Sequence, residues 1–310
     1  MNRPHVVVFG SINMDLVART PKLPTPGETL LGYSFATVPG GKGANQAVAI
    51  ARLGIPTHMI GRVGNDDFAQ SLLASLQGAG VQTAGIWVDD SNHSGVAMIA
   101  VDDQSENHII VVPGVNGQIN EADVERLIHQ LPGAAALLLQ FEIPLPAIQA
   151  AAVAANKAGV RVILDPAPAQ SNLPSELYSL VDIITPNTVE AKQLVGFPVD
   201  DAETAAQAAD VLHQRGVNTV VIKLGAKGAF CSTATETFFT PTFAVQAVDT
   251  VAAGDAFNGG LAAALAEGRS LREAIRWGAA AGALSVTKPG AQPSLPDRAT
   301  FDTFLSRHGM

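Results

Sequence analysis

Val248-Asp249-Thr250-Val251-Ala252-Ala253-Gly254-Asp255-Ala256-Phe257-Asn258-Gly259-Gly260 is the stretch on which the reading of this chain turns. A strand-like run, Phe243 to Val248, precedes it, and a helix-like run, Ala256 to Glu267, follows. The turn between them, Ala252-Ala253-Gly254, carries no bulky side chain. A helix that starts there leaves its first N–H groups open to an incoming anion. Asp255 adds a carboxylate in the first turn, where it also complements the helix dipole. An anion hole beside a carboxylate suits phosphoryl transfer to a hydroxyl, because the N–H groups stabilise the moving phosphoryl and the carboxylate takes the proton. With an ordinary Asp pKa near ~3.9, that carboxylate is ionised at neutral pH. The same residues also describe a plain, closely packed helix start, so the rest of the chain has to decide.

Working outward, apolar runs alternate with helical patterns. Strands are expected at His5 to Phe9, Ala136 to Gln140, Val160 to Leu164, Val181 to Ile184 and Thr219 to Lys223. Between them, Phe68 to Gln77 and Leu145 to Ala158 read as helices. Ala205, Ala208, Ala209 and Leu212 make one apolar helix face. Such alternation predicts an α/β protein: a three-layer α/β/α fold with a mostly parallel central sheet. Leu30 to Val38, Gly95 to Val101 and Asn107 to Val112 fall outside this plan and read as a small separate β-sheet lid, inserted from about 14–39 and 94–113 into a single domain, 1–310. A lid beside a site excludes water during transfer.

Polar residues recur at the expected strand C-termini: Asn13, Asp15, Glu142, Asp165, Asn187, Lys223 and Asp255. That edge of an open α/β sheet is where ligands bind. Asn13 and Asp15, one residue apart in an extended segment, face the same way and can hydrogen-bond a small polyol; an Asx turn reads equally well. Gly40-Gly41-Lys42-Gly43-Ala44-Asn45-Gln46 is a glycine turn into a helix, Ala44 to Leu53. It fits neither the dinucleotide fingerprint nor the P-loop, since the required spaced glycines are missing. Asn187-Thr188-Val189-Glu190 reads as a capping box, or as groups that reach phosphate oxygens or the waters of Mg²⁺. Leu224-Gly225-Ala226-Lys227-Gly228 reads as a hairpin turn or as a turn lying over a nucleotide.

Of 310 residues 47% are hydrophobic and 15% charged, enough apolar material for a large core. A net charge of −9 with scattered basic residues argues against a nucleic-acid surface. No run reaches the ~18 apolar residues of a membrane span. The single cysteine, Cys231, cannot form an intramolecular disulfide, and a cytoplasmic location is expected.

These pieces together resemble the ribokinase-like (PfkB) carbohydrate kinase family. The resemblance runs from about Val6 to about Pro296 and rests on two signatures, Gly40 to Ala47 and Asp249 to Asp255, supported by Gly10 to Asp15, Thr185 to Glu190 and Lys288 to Ser294. It implies transfer of the γ-phosphoryl of ATP to the 5-hydroxyl of D-ribose, with Asp255 as base and Ala252, Ala253 and Gly254 as the anion hole. Asn13, Met14, Asp15, Gly41, Lys42, Gly43, Ala44, Asn45 and Glu142 would surround the sugar, with Met14 tuning ribose against 2-deoxyribose. Asn187, Lys223, Leu224, Gly225, Ala226, Lys227, Gly228 and Gly254 would meet the nucleotide, with Glu190 near Mg²⁺. The resemblance further implies a K⁺ ion at Asp249, Val251, Ser285, Lys288, Gly290 and Ser294, with Val251 and Lys288 serving only through carbonyls, and a homodimer formed through the lid strands. Lys223 stands where Thr is more usual, and Ala279 offers the adenine side no polar group. The alternatives are a 2-deoxyribose or nucleoside kinase and a sugar-binding regulator without catalysis. Only two Trp and two Tyr are available to stack on a base, which weighs against a nucleoside acceptor.

Overall fold

The computed structural model describes residues 4–104 and 106–309. The chain opens with β1 (His5–Phe9), then β2 (Asn13–Arg19), β3 (Ser34–Gly40) and helix α1 (Lys42–Arg52). Next come β4 (Thr57–Gly64), α2 (Asp67–Gly78), β5 (Gln82–Asp89), β6 (Gly95–Val101) and β7 (Asn107–Val112). The middle runs α3 (Glu121–Ile128), β8 (Ala134–Gln140), α4 (Leu145–Lys157), β9 (Arg161–Asp165), α5 (Ser175–Tyr178), β10 (Ile183–Ile184), α6 (Thr188–Val195) and α7 (Ala202–Gln214). The C-terminal part holds β11 (Thr219–Lys223), β12 (Ala229–Thr233), β13 (Thr237–Thr240), α8 (Ala253–Ala266), α9 (Leu271–Ser285) and α10 (Arg298–Arg307).

Nine strands form the central sheet in the order β13-β12-β11-β10-β9-β8-β1-β4-β5, parallel from β11 to β5 and antiparallel across β12 and β13. Strand residues alternate between the two faces. Val6 and Val8 join the core under α1, α8 and α9, while Val7 and Phe9 join the core under α4 and α7. Both faces being covered, the central strands are apolar throughout. Register aligns the strand ends: Phe9 pairs with Leu139, Gln140 with Asp165, Leu164 with Ile184, and Asn187 bridges to Lys223. The C-terminal ends of β1, β8, β9, β10 and β11 therefore open on one edge.

A second sheet, β3-β2-β6-β7, stands apart from the first and is formed by the segments expected to make a lid. Its edge strand β7 is exposed along its whole length, apolar residues included.

Most expected elements are present with ends shifted by a few residues, and β1, β6, β7 and β11 match residue for residue. Two expectations fail. Phe243 to Val248 is not a strand. β13 ends before Pro241, which has no N–H to extend a ladder. Instead Phe243 stacks edge-on against Phe304 and His308 of the C-terminal segment, with centroids 5.2 and 5.1 Å away, while Ala244, Val245 and Ala247 line a cleft and Val248 is exposed. The lid strand expected at Leu30 begins only at Ser34. β4 and β5 carry no clean sequence signal: β4 is broken by Gly61 and holds the buried Arg62, and β5 is a sheet edge with exposed residues.

Candidate active site

The helix start that drew attention in the sequence lies over this strand edge, but α8 begins at Ala253 rather than Ala256. Ala253, Gly254 and Asp255 thus form its first turn. Ala252, before it, has φ 59°, and among the described residues it is the one non-glycine with positive φ. That left-handed alanine costs about 1–2 kcal/mol and is held by the loop around it. Asp249 accepts from Val251 N at 3.0 Å and from Gly290 N at 2.8 Å, which ties this loop to the turn after α9. Within the first turn, Ala253 N reaches Thr250 O, while the N–H groups of Gly254 and Asp255 have no protein acceptor among the described residues. They remain free for an anion.

Asp255 is buried and doubly held: Oδ2 accepts from Asn45 Nδ2 at 2.9 Å and Oδ1 from Gln46 Nε2 at 3.1 Å. Gln46 also donates to Asp165 at 2.9 Å and accepts from Gln140 at 2.7 Å. Desolvation pushes the Asp255 pKa up to about 6. Lys42 pulls it back, Asp165 pushes it further, and the Asn45 and Gln46 amides pull it back. The ordinary value expected from sequence does not survive burial. Burial also draws on the Lys42 ammonium, but Asp255, Asp165, Glu142 and Glu190 outweigh it and keep that pKa above its usual value.

Glu142 organises the other side. Its Oε2 accepts from Ser11 Oγ at 2.5 Å, Lys42 N at 3.0 Å and Asn13 Nδ2 at 3.3 Å. Asn116 donates to Asn13 Oδ1 at 2.8 Å and to Ile12 O at 3.0 Å, and so fixes how Asn13 presents its amide. Asp15 lies on the same face of β2; desolvation, then Glu142 and Asp255, push its pKa up to about 7. The glycine turn leaves room for this cluster. A Cβ on Gly40 would sit 2.3 Å from an Asp15 oxygen, and Gly41 combines φ 88° with a Cβ position 2.7 Å from Asn13 N. Met14 points to the opposite face of β2 and joins the hydrophobic core, as does Ala44. Neither side chain faces the polar cluster, so Met14 cannot tune a sugar by direct contact.

A cleft of about 710 Å³ adjoins the cluster, lined by Lys42, Asp165, Asn187, Glu190, Lys223, Gly225, Ala226, Gly228, Ala252, Ala253, Gly254 and Asp255 on its polar side. Phe243, Val245, Phe257, Ala279 and Val286 line its apolar part. Lys42 and Asp255 are where cleft and polar cluster meet. Asn187 and Glu190 do form the capping box, with Asn187 N donating to Glu190 at 2.7 Å and Glu190 N to Asn187 at 2.9 Å, and both also line the cleft. Leu224 is core, and Lys227 turns away to donate to Asp200 O at 2.5 Å. Ser285 and Ser294 donate their hydroxyls to Gly282 O and Ala291 O, within their own turns. Among the described residues no group of three or more His, Cys, Asp or Glu could hold a metal.

The sequence reading assigned no role to Ser11, Gln46 or Asn116. Gln46 sits next to Asn45 in the glycine-turn motif and could have been found there. Ser11 and Asn116 act through tertiary contacts that carry no local signal.

Fold and site together describe an α/β protein with a helix start beside a buried carboxylate and a polar cluster on the carboxylate's other side. Residues 3–298 match the pfkB family carbohydrate kinase. The chain belongs to the pfkB family of carbohydrate kinases. It is 46% identical over 303 residues to the ribokinase of Haemophilus influenzae, covering 98% of this chain and 99% of that protein. It is 35% identical over 301 residues to the deoxyribokinase of Salmonella typhimurium, covering 97% and 98%. The structure of the Arabidopsis thaliana ribokinase complexed with ribose and ATP superposes with a TM-score of 0.90 at 36% identity, covering 98% of this chain and 99% of that one.

Proposed function

We propose that this chain is an ATP-dependent kinase that phosphorylates the 5-hydroxyl of D-ribose. One observation carries the reading. Asp255 is held by Asn45 and Gln46 between a polar cluster that fits a polyol and a helix start with two free N–H groups. Similarity to ribokinases over the whole chain supports ribose as the acceptor, and the lower identity to the deoxyribokinase places 2-deoxyribose second.

Asn13, Asp15 and Glu142 hold the sugar hydroxyls, with Lys42 balancing their charge. Asp255 takes the proton of the 5-hydroxyl, whose oxygen forms the new bond to the γ-phosphorus. The bond from that phosphorus to the bridging oxygen breaks, and its electron pair leaves with ADP. Charge gathered on the phosphoryl oxygens is received by the N–H groups of Gly254 and Asp255. The apolar wall with Phe243 and Ala279 takes the adenine, which leaves little polar contact to select the base.

A Mg²⁺ ion takes few protein ligands and keeps its waters, which fits Glu190, a carboxylate that lines the cleft and is already fixed by Asn187. When bound, Mg²⁺ neutralises phosphate charge. A K⁺ ion fits the loop pair tied by Asp249, where Val251, Ser285, Lys288, Gly290 and Ser294 would serve mainly through carbonyls, since both serine hydroxyls and both Asp249 oxygens have partners. The lid closes over the sugar, and two lids pair into a homodimer through apolar residues exposed on β6 and β7. The chain works in the cytoplasm, consistent with one buried cysteine. No helix among the described residues is long and apolar enough to cross a membrane.

A sugar panel tests this reading. With Mg-ATP, ADP release is expected with the highest kcat/KM on D-ribose and a lower value on 2-deoxyribose. Binding of every sugar without ADP release would favour a regulator and overturn it.

A further inference from the structure

Asn116 sits in the short 3-10 turn Gly114–Gln118 that follows β7, and it is fully buried. Its amide makes three hydrogen bonds. Oδ1 accepts from Ile12 N at 3.1 Å, and Nδ2 donates to Ile12 O at 3.0 Å and to Asn13 Oδ1 at 2.8 Å. The two bonds to Ile12 satisfy a buried backbone N–H and C=O between β1 and β2, as a neighbouring strand would. The third bond does nothing for the backbone. It settles which way the Asn13 amide faces. With Oδ1 taken by an N–H, Nδ2 must turn to the polar cluster, where it reaches Glu142 Oε2 at 3.3 Å. An amide NH₂ carries two hydrogens, and the second has no protein acceptor among the described residues.

The space for this bond comes from a residue on another strand. Asn13 pairs with Gly95, the first residue of β6, and a Cβ there would fall 2.1 Å from both Asn116 Nδ2 and Asn13 Oδ1. Gly95 is not one of the left-handed glycines, so what it supplies is room rather than an unusual backbone. Asn13 is itself only 2% exposed, which leaves little water to take over if its partner is lost.

We propose that Asn116 is a positioning residue for the sugar: acting on Asn13 across Gly95, it makes the Asn13 amide an obligate hydrogen-bond donor to a sugar hydroxyl oxygen. The role rests on the sugar-kinase reading for its ligand, though the coupling of Asn116 to Asn13 does not. The neighbouring side chains Asp15 and Glu142 offer mainly oxygen lone pairs. A sugar hydroxyl has one hydrogen to give and lone pairs to fill, so a donor beside two carboxyl groups lets it give and accept at once. Were the Asn13 amide turned over, its Oδ1 would stand against Glu142 Oε2, and the hydroxyl would meet acceptors on every side. A buried polar site with mismatched donors and acceptors loses much of its preference for the correct ligand.

A double-mutant cycle tests this with Asn116→Ala, Gly95→Ala, Asn13→Ala, and Asn13→Ala combined with each of the other two. All are checked for cooperative unfolding. Gly95→Ala parts the two amides while keeping both side chains, so it carries the test if Asn116→Ala, which also strips Ile12 of its partner, fails to fold. Each of these two changes is expected to raise the KM for D-ribose about 10-fold. The kcat at saturating ribose falls less than about 3-fold, because Asp255 is untouched, and ATP affinity without sugar stays within about 2-fold by calorimetry. In the Asn13→Ala background neither change moves the ribose KM by more than about 2-fold, since the residue they act through is gone. A further full 10-fold loss in that background would show that Asn116 serves only the Ile12 backbone, and would overturn the proposal. An unchanged ribose KM in folded Gly95→Ala, or an equal loss of ATP affinity, would overturn it too. A wild type that turns over no sugar sinks the kinase reading instead, and the same cycle read as calorimetric affinity for D-ribose still decides the role of Asn116.

Discussion

Replacing Asp255 by Asn should make the protein more stable and nearly inactive, with a pH signature that names the cause. Burial raises the carboxyl from its ordinary 3.8 to about 6. A native-state pKa above the unfolded value means that the folded protein binds this proton more tightly. The associated stability is fully present below 3.8 and is lost as pH rises through 6. The shift is worth about 3 kcal/mol at pH 7 and above, and about 1.4 kcal/mol of it is lost between pH 5 and pH 7. Asn carries no such charge. Its amide would face two donors, from Asn45 and Gln46, but the Asn45 Oδ1 has no partner and a flip of that amide offers it as acceptor. The remaining mismatch with Gln46 costs about 1 kcal/mol. The net gain at pH 8 is then about 2 kcal/mol, or about 3 °C in melting temperature for a chain of this length. Urea or thermal unfolding of both proteins at pH 5, 6, 7 and 8 reads this directly, and ribose affinity by calorimetry should hold while ADP release is lost. In the wild type, kcat/KM falls as pH drops through about 6, where the base becomes protonated. A stability difference that stays flat from pH 5 to pH 8 would show that Asp255 titrates as an ordinary surface carboxyl, and near-wild-type turnover in the variant would remove it as the base.

Replacing Na⁺ by K⁺ at constant ionic strength should raise turnover, since the loop tied by Asp249 to Gly290 also sets the start of α8; a flat response removes the cation from that loop pair. The double change Ile109→Glu with Ile110→Glu should turn a dimer into a monomer in light scattering while leaving the central sheet folded. Consecutive residues of β7 face opposite sides, so both faces of the lid are tested. A wild type that is monomeric at tens of micromolar would refute pairing through the lid.

How far the sequence could be read depends on the range of the interactions involved. Local periodicity exposed β1, β8, β9, β11 and the helices between them, because strands buried on both faces are continuously apolar and helices repeat every three to four residues. It also exposed the α8 start, since a small-residue turn followed by Asp255 is a local pattern. The same reasoning misread Phe243 to Val248, where Phe243 packs on α10 and the residues after it line the cleft or lie exposed instead of pairing. It passed over β4, whose buried Arg62 is satisfied by Asp89 and Asp123 from elsewhere in the chain.

The residue types of the site and the strand ends that carry them were set by the sequence itself. Only the tertiary structure decided what those residues are chemically. It turned Met14 into the core and Lys227 onto Asp200, set Asp165 against Lys223, and placed Gln46 between Asp165 and Asp255. It also dried out Asp255 until its pKa rose to about 6. Type and spacing are properties of a segment. Burial, partner and charge state depend on segments far apart in the chain, and they come into being only when the sheet brings its strand ends together.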